Sequence, residues 1–286
     1  MSEIPSRLFK YFPPERIDGL LNQELAFSPL SAFNDPFEGK PEITGLSDAS
    51  YFKKEMLKNF GPVIEEKYLE LPQQDRARIS LEVFSAMMWG LAHNELDSNA
   101  DKYLPLVDEL ARTFPEHLNK QIGVLCLCEV PDSLLMWAHY ARSHSGFIVE
   151  YDAEHSFFDC KRGEKDEFNH LRRVLYRSAR PSAKLMEMEG PEFFLVKSDH
   201  WLYEHEWRIL RPLSEAARTL ENNDGIVHLF NYPGEIVRRV ILGARASPRT
   251  AEAIREVLSA NPEYKSVQLQ QAFPDPSHFL LRFRAV

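Results

Sequence analysis

The stretch KSDHWLYEHEWRIL, Lys197 to Leu210, sets two tryptophans, two histidines, two glutamates and an arginine in one short segment. Read as a half-buried strand, it places residues two apart on one face. Glu204, Glu206 and Arg208 then point one way, and Tyr203, His205 and Trp207 the other. Carboxylates beside an arginine have two readings: a partly buried ion pair, or one carboxylate tuned for a substrate. The blocks around the stretch tip the balance towards the second.

Upstream, IGVLCLCEV (Ile122 to Val130) reads as an apolar strand, PDSLLMWAHYARSH as a short helix, and GFIVEYD (Gly146 to Asp152) as a strand that alternates near its end. RRVLYR, GIVHLFN, RRVILGA and HFLLRFRAV read as further strands. SPRTAEAIREVLSA is a helix entered through Ser247 as N-cap, with Pro248 at its first position. At the start, LFKYF (Leu8 to Phe12) is a strand ended by Pro13-Pro14, a helix follows through ERIDGLLNQ, and LAFSP (Leu25 to Pro29) is a second short strand. From about Asp48 to Lys120 apolar residues recur at three- and four-residue spacing, which predicts helices. The expected architecture is a single α+β domain over residues 1–286, with residues 48–120 a helical insertion within it.

A chain of 286 residues buries about three quarters of its unfolded surface, so it needs no staples. A net charge of -9 argues against holding nucleic acid by bulk phosphate neutralisation. Three cysteines, with Cys126 and Cys128 too close to favour a bridge within a strand, suit a reducing compartment. The opening residues form no apolar signal core, and no run reaches the eighteen or so apolar residues of a membrane span. A cytoplasmic, membrane-free protein is the expectation.

Several side chains are candidates for chemistry. In FNDPFE, Asn34 or Asp35 suits an Asx-turn, Pro36 fixes φ, and Phe33 and Phe37 are expected to bury on either side. Loops between short strands also carry binding residues, which keeps Asn34, Asp35 and Glu38 in view. MWAHYARSHSG puts Met136, His139 and Tyr140 on one helical face. His139 is a general base, a ribose contact or a core histidine bonded to a carbonyl, with a core or supporting position preferred. His144 suits the helix end, with Gly146 as the left-handed cap. Cys126, Cys128, His139 and His144 number four metal-ligand types, but Cys-x-Cys in an apolar strand lacks the usual knuckle spacing, and no metal is expected.

The blocks KYF, FNDPFEG, MWAHYARSHSGFIVEYD, YEHEWRI and VILGA, in this order, resemble the bacterial domain-of-unknown-function family 2971 from about Leu8 to Ala244. A late Glu-x-Glu pair, preceded by a basic first strand, a helix and a Ser-containing second strand, is also similar to the layout of mono-ADP-ribosyltransferases. That similarity implies an ADP-ribosyltransferase-like mixed β core of short strands, with NAD as substrate and no metal. In that superfamily an Arg or His of the first strand fixes the dinucleotide, a Ser or Tyr of the second lies near the nicotinamide ribose, and the second Glu stabilises the oxocarbenium-like transition state. Carried over, Lys10 takes the first place, Ser28 the second and Glu206 the third. Lysine stands where Arg or His is usual, and AFSPLS lacks the Ser-Thr-Ser pattern.

The expected site is therefore Glu206 with Glu204 and His139 as catalytic groups. Lys10, Tyr11, Ser28, Asn34, Asp35, Trp137, Tyr140 and Arg208 are the candidate dinucleotide contacts, the aromatic rings offering stacking faces while serving equally well as core. The expected activity is ADP-ribose transfer to an unspecified macromolecule, or NAD hydrolysis, in phage defence or stress response. Two other readings stay open: a silent module that binds a nucleotide or a protein, and a nuclease built from Asp35, Glu38, His139 and Glu206.

Overall fold

The computed structural model describes residues 4–188, 192–222 and 225–286. The chain opens with β1 (Arg7–Phe12), a 3-10 turn begun by Pro14, α1 (Ile17–Leu21), β2 (Glu24–Phe27) and the two-residue β3 (Glu42–Ile43). Helices α2 (Ala49–Lys58), α3 (Phe60–Glu70), α4 (Gln73–Arg76) and α5 (Leu81–Asn119) follow, where the apolar spacing predicts them. Next come β4 (Ile122–Cys128), α6 (Leu134–Tyr140), β5 (Phe147–Asp152), β6 (Arg172–Arg173), β7 (Leu175–Arg177) and β8 (Ser182–Ala183). Then follow α7 (Glu192–Leu195), β9 (Val196–Ser198), β10 (Glu206–Pro212), β11 (Arg218–Asn222) and β12 (Gly225–Asn231). The chain ends with β13 (Val237–Leu242), α8 (Pro248–Ala260), β14 (Gln268–Pro274) and β15 (Leu281–Ala285). The protein is α+β, and no helix among the described residues is long and apolar enough to cross a membrane.

Two compact units divide the chain, one of Met1–Lys40, His117–Arg180 and Gly190–Val286, the other of Pro41–Glu116 and Pro181–Glu189. The first is built on an eight-stranded sheet in the order β15-β14-β13-β5-β1-β4-β10-β6. Its pairs are antiparallel except β13 with β14, which run parallel and are joined through α8. Ser247 caps α8 by accepting from the Thr250 amide, as the sequence predicts. Burial on both faces explains why the central strands read as apolar runs. Leu8 and Phe12 pack on one face with Leu125, Leu127, Trp207 and Ile254 of α8. Phe9 and Tyr11 pack on the other with Cys128, Ile148 and Met136 and Trp137 of α6.

One seam in this sheet is incomplete. β1 pairs with β5 along its whole length, from Arg7 opposite Asp152 to Phe12 opposite Phe147. Against β4 it makes the single pair Phe9 with Cys128. The start of β4 turns instead to Ser28, which bridges Val124 just after β2. β2 itself belongs to a second, three-stranded sheet, β11-β12-β2. β4 thus changes partners midway, and the sheet opens between β1 and β4.

The turn after α6 departs from the expected cap. Arg142, Ser143 and His144 carry the positive φ angles, at 45°, 52° and 70°, and Gly146 does not. Glycine is required at 146 for space: a Cβ there would overlap the main-chain oxygen of Phe12. Gly146→Ala is expected to cost about 1–3 kcal/mol, because backbone on both sides must shift. Chemical denaturation checks this, and a variant as stable as the parent would refute the close approach.

In the second unit, β3 and β8 form a short parallel pair. Asp48 caps α2 by accepting from the Tyr51 amide, and Asp108 of α5 accepts from the Leu46 amide at 2.6 Å. Phe52, Met56 and Phe60 face Met88, Leu91 and Leu96 of α5 around an apolar cavity of about 630 Å³.

Candidate functional site

A cavity of about 390 Å³ lies at the opened seam of the first unit. Phe9, Lys10 and Tyr11 of β1 and Cys126 and Cys128 of β4 form its sheet side. Met136, His139 and Tyr140 of α6 face it, with Phe33 and Asn34 from the turn and Lys197, Glu204 and Glu206 from the quoted stretch. Its size and mixed apolar and polar lining are those of a small-molecule pocket.

The quoted stretch is not one strand. Lys197 sits on β9, Asp199–Glu204 winds into a 3-10 helix, and His205 takes the left-handed conformation at φ 46° before β10 starts at Glu206. Glu204 is therefore not a strand neighbour of Glu206. The two carboxylates nonetheless meet, because Lys197 reaches both: its Nζ donates to Glu204 Oε2 at 2.6 Å and to Glu206 Oε2 at 3.0 Å. Arg208 holds Glu206 from behind with a two-point grip, Nε to Oε1 at 2.8 Å and Nη2 to Oε2 at 2.9 Å. The same guanidinium donates to Glu38 and to the Phe194 carbonyl. Lys197, Arg208 and all three glutamates are buried.

This arrangement pushes the carboxyls apart in acidity. Burial alone would raise Glu206, but Arg208 and then Lys197 outweigh it and hold the group below the usual carboxylate range. Burial raises Glu204 and Glu38 despite their cationic neighbours. Burial would lower Lys197, yet Glu206, Glu38 and Glu204 together raise it. A pair of carboxyls so separated is the pattern from which acid and base roles are drawn. Tyr140, raised by burial and by Glu204, keeps its proton and donates it to Glu204 Oε1 at 2.6 Å. Burial also raises the Cys126 and Cys128 thiols, so both stay protonated.

Of the sequence-predicted contacts, Lys10, Tyr11, Asn34, His139, Tyr140, Glu204 and Glu206 line the cavity. Lys10 donates to the Cys126 carbonyl at 2.9 Å, and burial lowers its pKa. His139 is exposed, in edge contact with Trp201 at 6.5 Å, which corrects the preference for a core histidine. Ser28, Asp35, Trp137 and Arg208 are not lining residues. Ser28 bridges Val124 through its backbone and lies outside the lining, and Trp137 is fully buried with Nε1 on the Pro131 carbonyl. Asp35 closes the predicted Asx-turn onto the Phe37 amide at 2.9 Å. Phe37 is 59% exposed and does not bury, unlike its expected place in that turn. Sequence reasoning missed Lys197, although it opens the quoted stretch: a lysine at the head of an acidic segment looks like surface charge until the fold brings it back over both glutamates. Among the described residues no group of three or more His, Cys, Asp or Glu is placed to hold a metal ion.

The comparisons with known proteins fall on this site. Residues 136–209 match the family described as "Protein of unknown function (DUF2971)". The matched segment runs from Met136 to Ile209 and so carries His139, Tyr140, Lys197, Glu204, Glu206 and Arg208. It is narrower than the resemblance from Leu8 to Ala244 read in the sequence. No curated protein and no solved structure matches the chain.

Proposed function

We propose that the cavity binds NAD and that the protein breaks the bond between nicotinamide and ribose, passing ADP-ribose to an acceptor or to water. The observation that carries this reading is Glu206, a buried carboxylate at the cavity wall that two cations keep ionised. When the glycosidic bond breaks, its electron pair leaves with the ring nitrogen of nicotinamide and positive charge develops on the ribose. A fixed carboxylate in a dry pocket stabilises that charge more than water does. The incoming hydroxyl or water then bonds to the anomeric carbon and loses its proton to solvent. The test is incubation with labelled NAD, with and without cell extract, reading nicotinamide release and label transfer. Neither product forming, with NAD left intact, would refute the reading.

Lys10 supports the same proposal. Among the described residues its one hydrogen bond goes to the Cys126 carbonyl, which leaves it donors for a dinucleotide phosphate. Lys10→Met is expected to weaken NAD binding roughly tenfold by calorimetry, the loss of one charge-assisted hydrogen bond. Unchanged affinity would remove Lys10 from the site.

A second reading, a silent nucleotide-binding module, is favoured by one observation: both oxygens of Glu206 already accept bonds within the protein. NAD binding without nicotinamide release would establish it. We also place the protein in the cytoplasm, since Cys126, Cys128 and Cys160 are all free thiols.

A further inference from the structure

The buried cluster of Glu38, Glu204, Glu206, Lys197 and Arg208 holds three carboxyls and two cations. Fully ionised, it would carry one uncompensated negative charge on side chains that are each 4% exposed or less. Such a charge is so costly that a proton is taken up instead. The question is which carboxyl carries it.

The hydrogen bonds answer by elimination. Glu206 accepts at both oxygens, from Arg208 Nε at Oε1 and from Lys197 and Arg208 Nη2 at Oε2. Glu204 also accepts at both, from the Tyr140 hydroxyl at Oε1 and from Lys197 at Oε2. Glu38 accepts from Arg208 at Oε1, but its Oε2 is buried and has no hydrogen-bond partner. Lys197 Nζ stands 3.6 Å from that oxygen, beyond hydrogen-bonding reach, and is committed to the other two glutamates. The Glu38 side chain has no solvent exposure through which water could serve instead. Lys10, the remaining cation of the neighbourhood, is turned to the Cys126 carbonyl.

We infer that Glu38 is a neutral carboxylic acid bearing its proton on Oε2, and that it is a positioning residue for Glu206. As a neutral acid Glu38 still accepts from Arg208 through Oε1 but does not compete as a second full anion for the guanidinium. Arg208 then keeps its two-point grip on Glu206, and the cluster is electrically neutral with the cavity-facing carboxylate ionised. This role does not depend on what the cavity binds.

The experiment is infrared difference spectroscopy at neutral pH in light and heavy water, which reads the carbonyl stretch of protonated carboxyl groups. The parent is expected to show such a band, Glu38→Gln to lose it, and Glu204→Gln to keep it. Thermal unfolding supplies a second readout: Glu38→Gln, which mimics the neutral acid, should melt with the parent, whereas Glu38→Leu, which removes the acceptor for Arg208, should melt markedly lower. No protonated-carboxyl band in the parent would overturn the inference. So would a band that survives Glu38→Gln, or a Glu38→Gln protein that melts as low as Glu38→Leu.

Discussion

Arg208→Met is expected to lower the unfolding free energy by about 3–5 kcal/mol, the usual cost of removing one partner from a buried ion pair. Methionine matches the volume of the arginine stem but offers no donor. Glu206 would keep Lys197 and the Cys126 thiol, and Glu38 would lose the bond it accepts from the guanidinium. Arg208 is 0% exposed, so no water replaces the guanidinium. The loss should register as an earlier midpoint in urea with little change in the slope of the transition. A midpoint shift worth under about 1 kcal/mol, the range of exposed ion pairs, would mean that the cluster is solvated in solution.

Glu206→Gln is expected to reduce NAD turnover about a hundredfold or more, with Glu204→Gln doing less. Glutamine keeps the length and one acceptor oxygen but discards the charge that a developing oxocarbenium requires. From the sequence alone this substitution is expected to leave the fold intact. The structure changes that expectation, because Glu206 is also the main anchor of Arg208, so the variant should melt earlier as well. Turnover must therefore be measured at a temperature where the variant is folded and normalised to the folded fraction. A Glu206→Gln protein that melts early yet turns over NAD at the parental rate once folded would assign the charges of YEHEWRI to structure alone.

The fold was most legible where a local pattern has one cause. The apolar strands β1, β4 and β5, the helices between Ala49 and Asn119, and the Ser247 cap follow from periodicity and hydrogen-bonding chemistry that neighbouring residues decide between themselves. β14 was missed because Gln268, Gln270 and Gln271 break its apolar pattern. Its pairing comes from β13, a partner far enough away in sequence to leave no local mark. The same limit governs the site. Glu204, Glu206 and His139 stand out by composition, but the left-handed turn at His205 and the return of Lys197 are tertiary facts. An Arg208 that looks like a ligand contact proves to be the support behind the cavity-lining Glu206, because the sequence gives its face but not its depth.

The change of partners along β4 also governs how far the cavity can adapt. Sliding β4 by one residue would break the Phe9–Cys128 pair and the Ser28–Val124 bridge together, and would turn Cys126 and Cys128 away from the cavity. Two independent registrations thus act like a ratchet with both pawls engaged, and β4 does not slide to reshape the walls. Reshaping the cavity at this strand then falls to side chains. Lys10, held at its tip by one bond to a carbonyl, and the exposed His139 are two that can move.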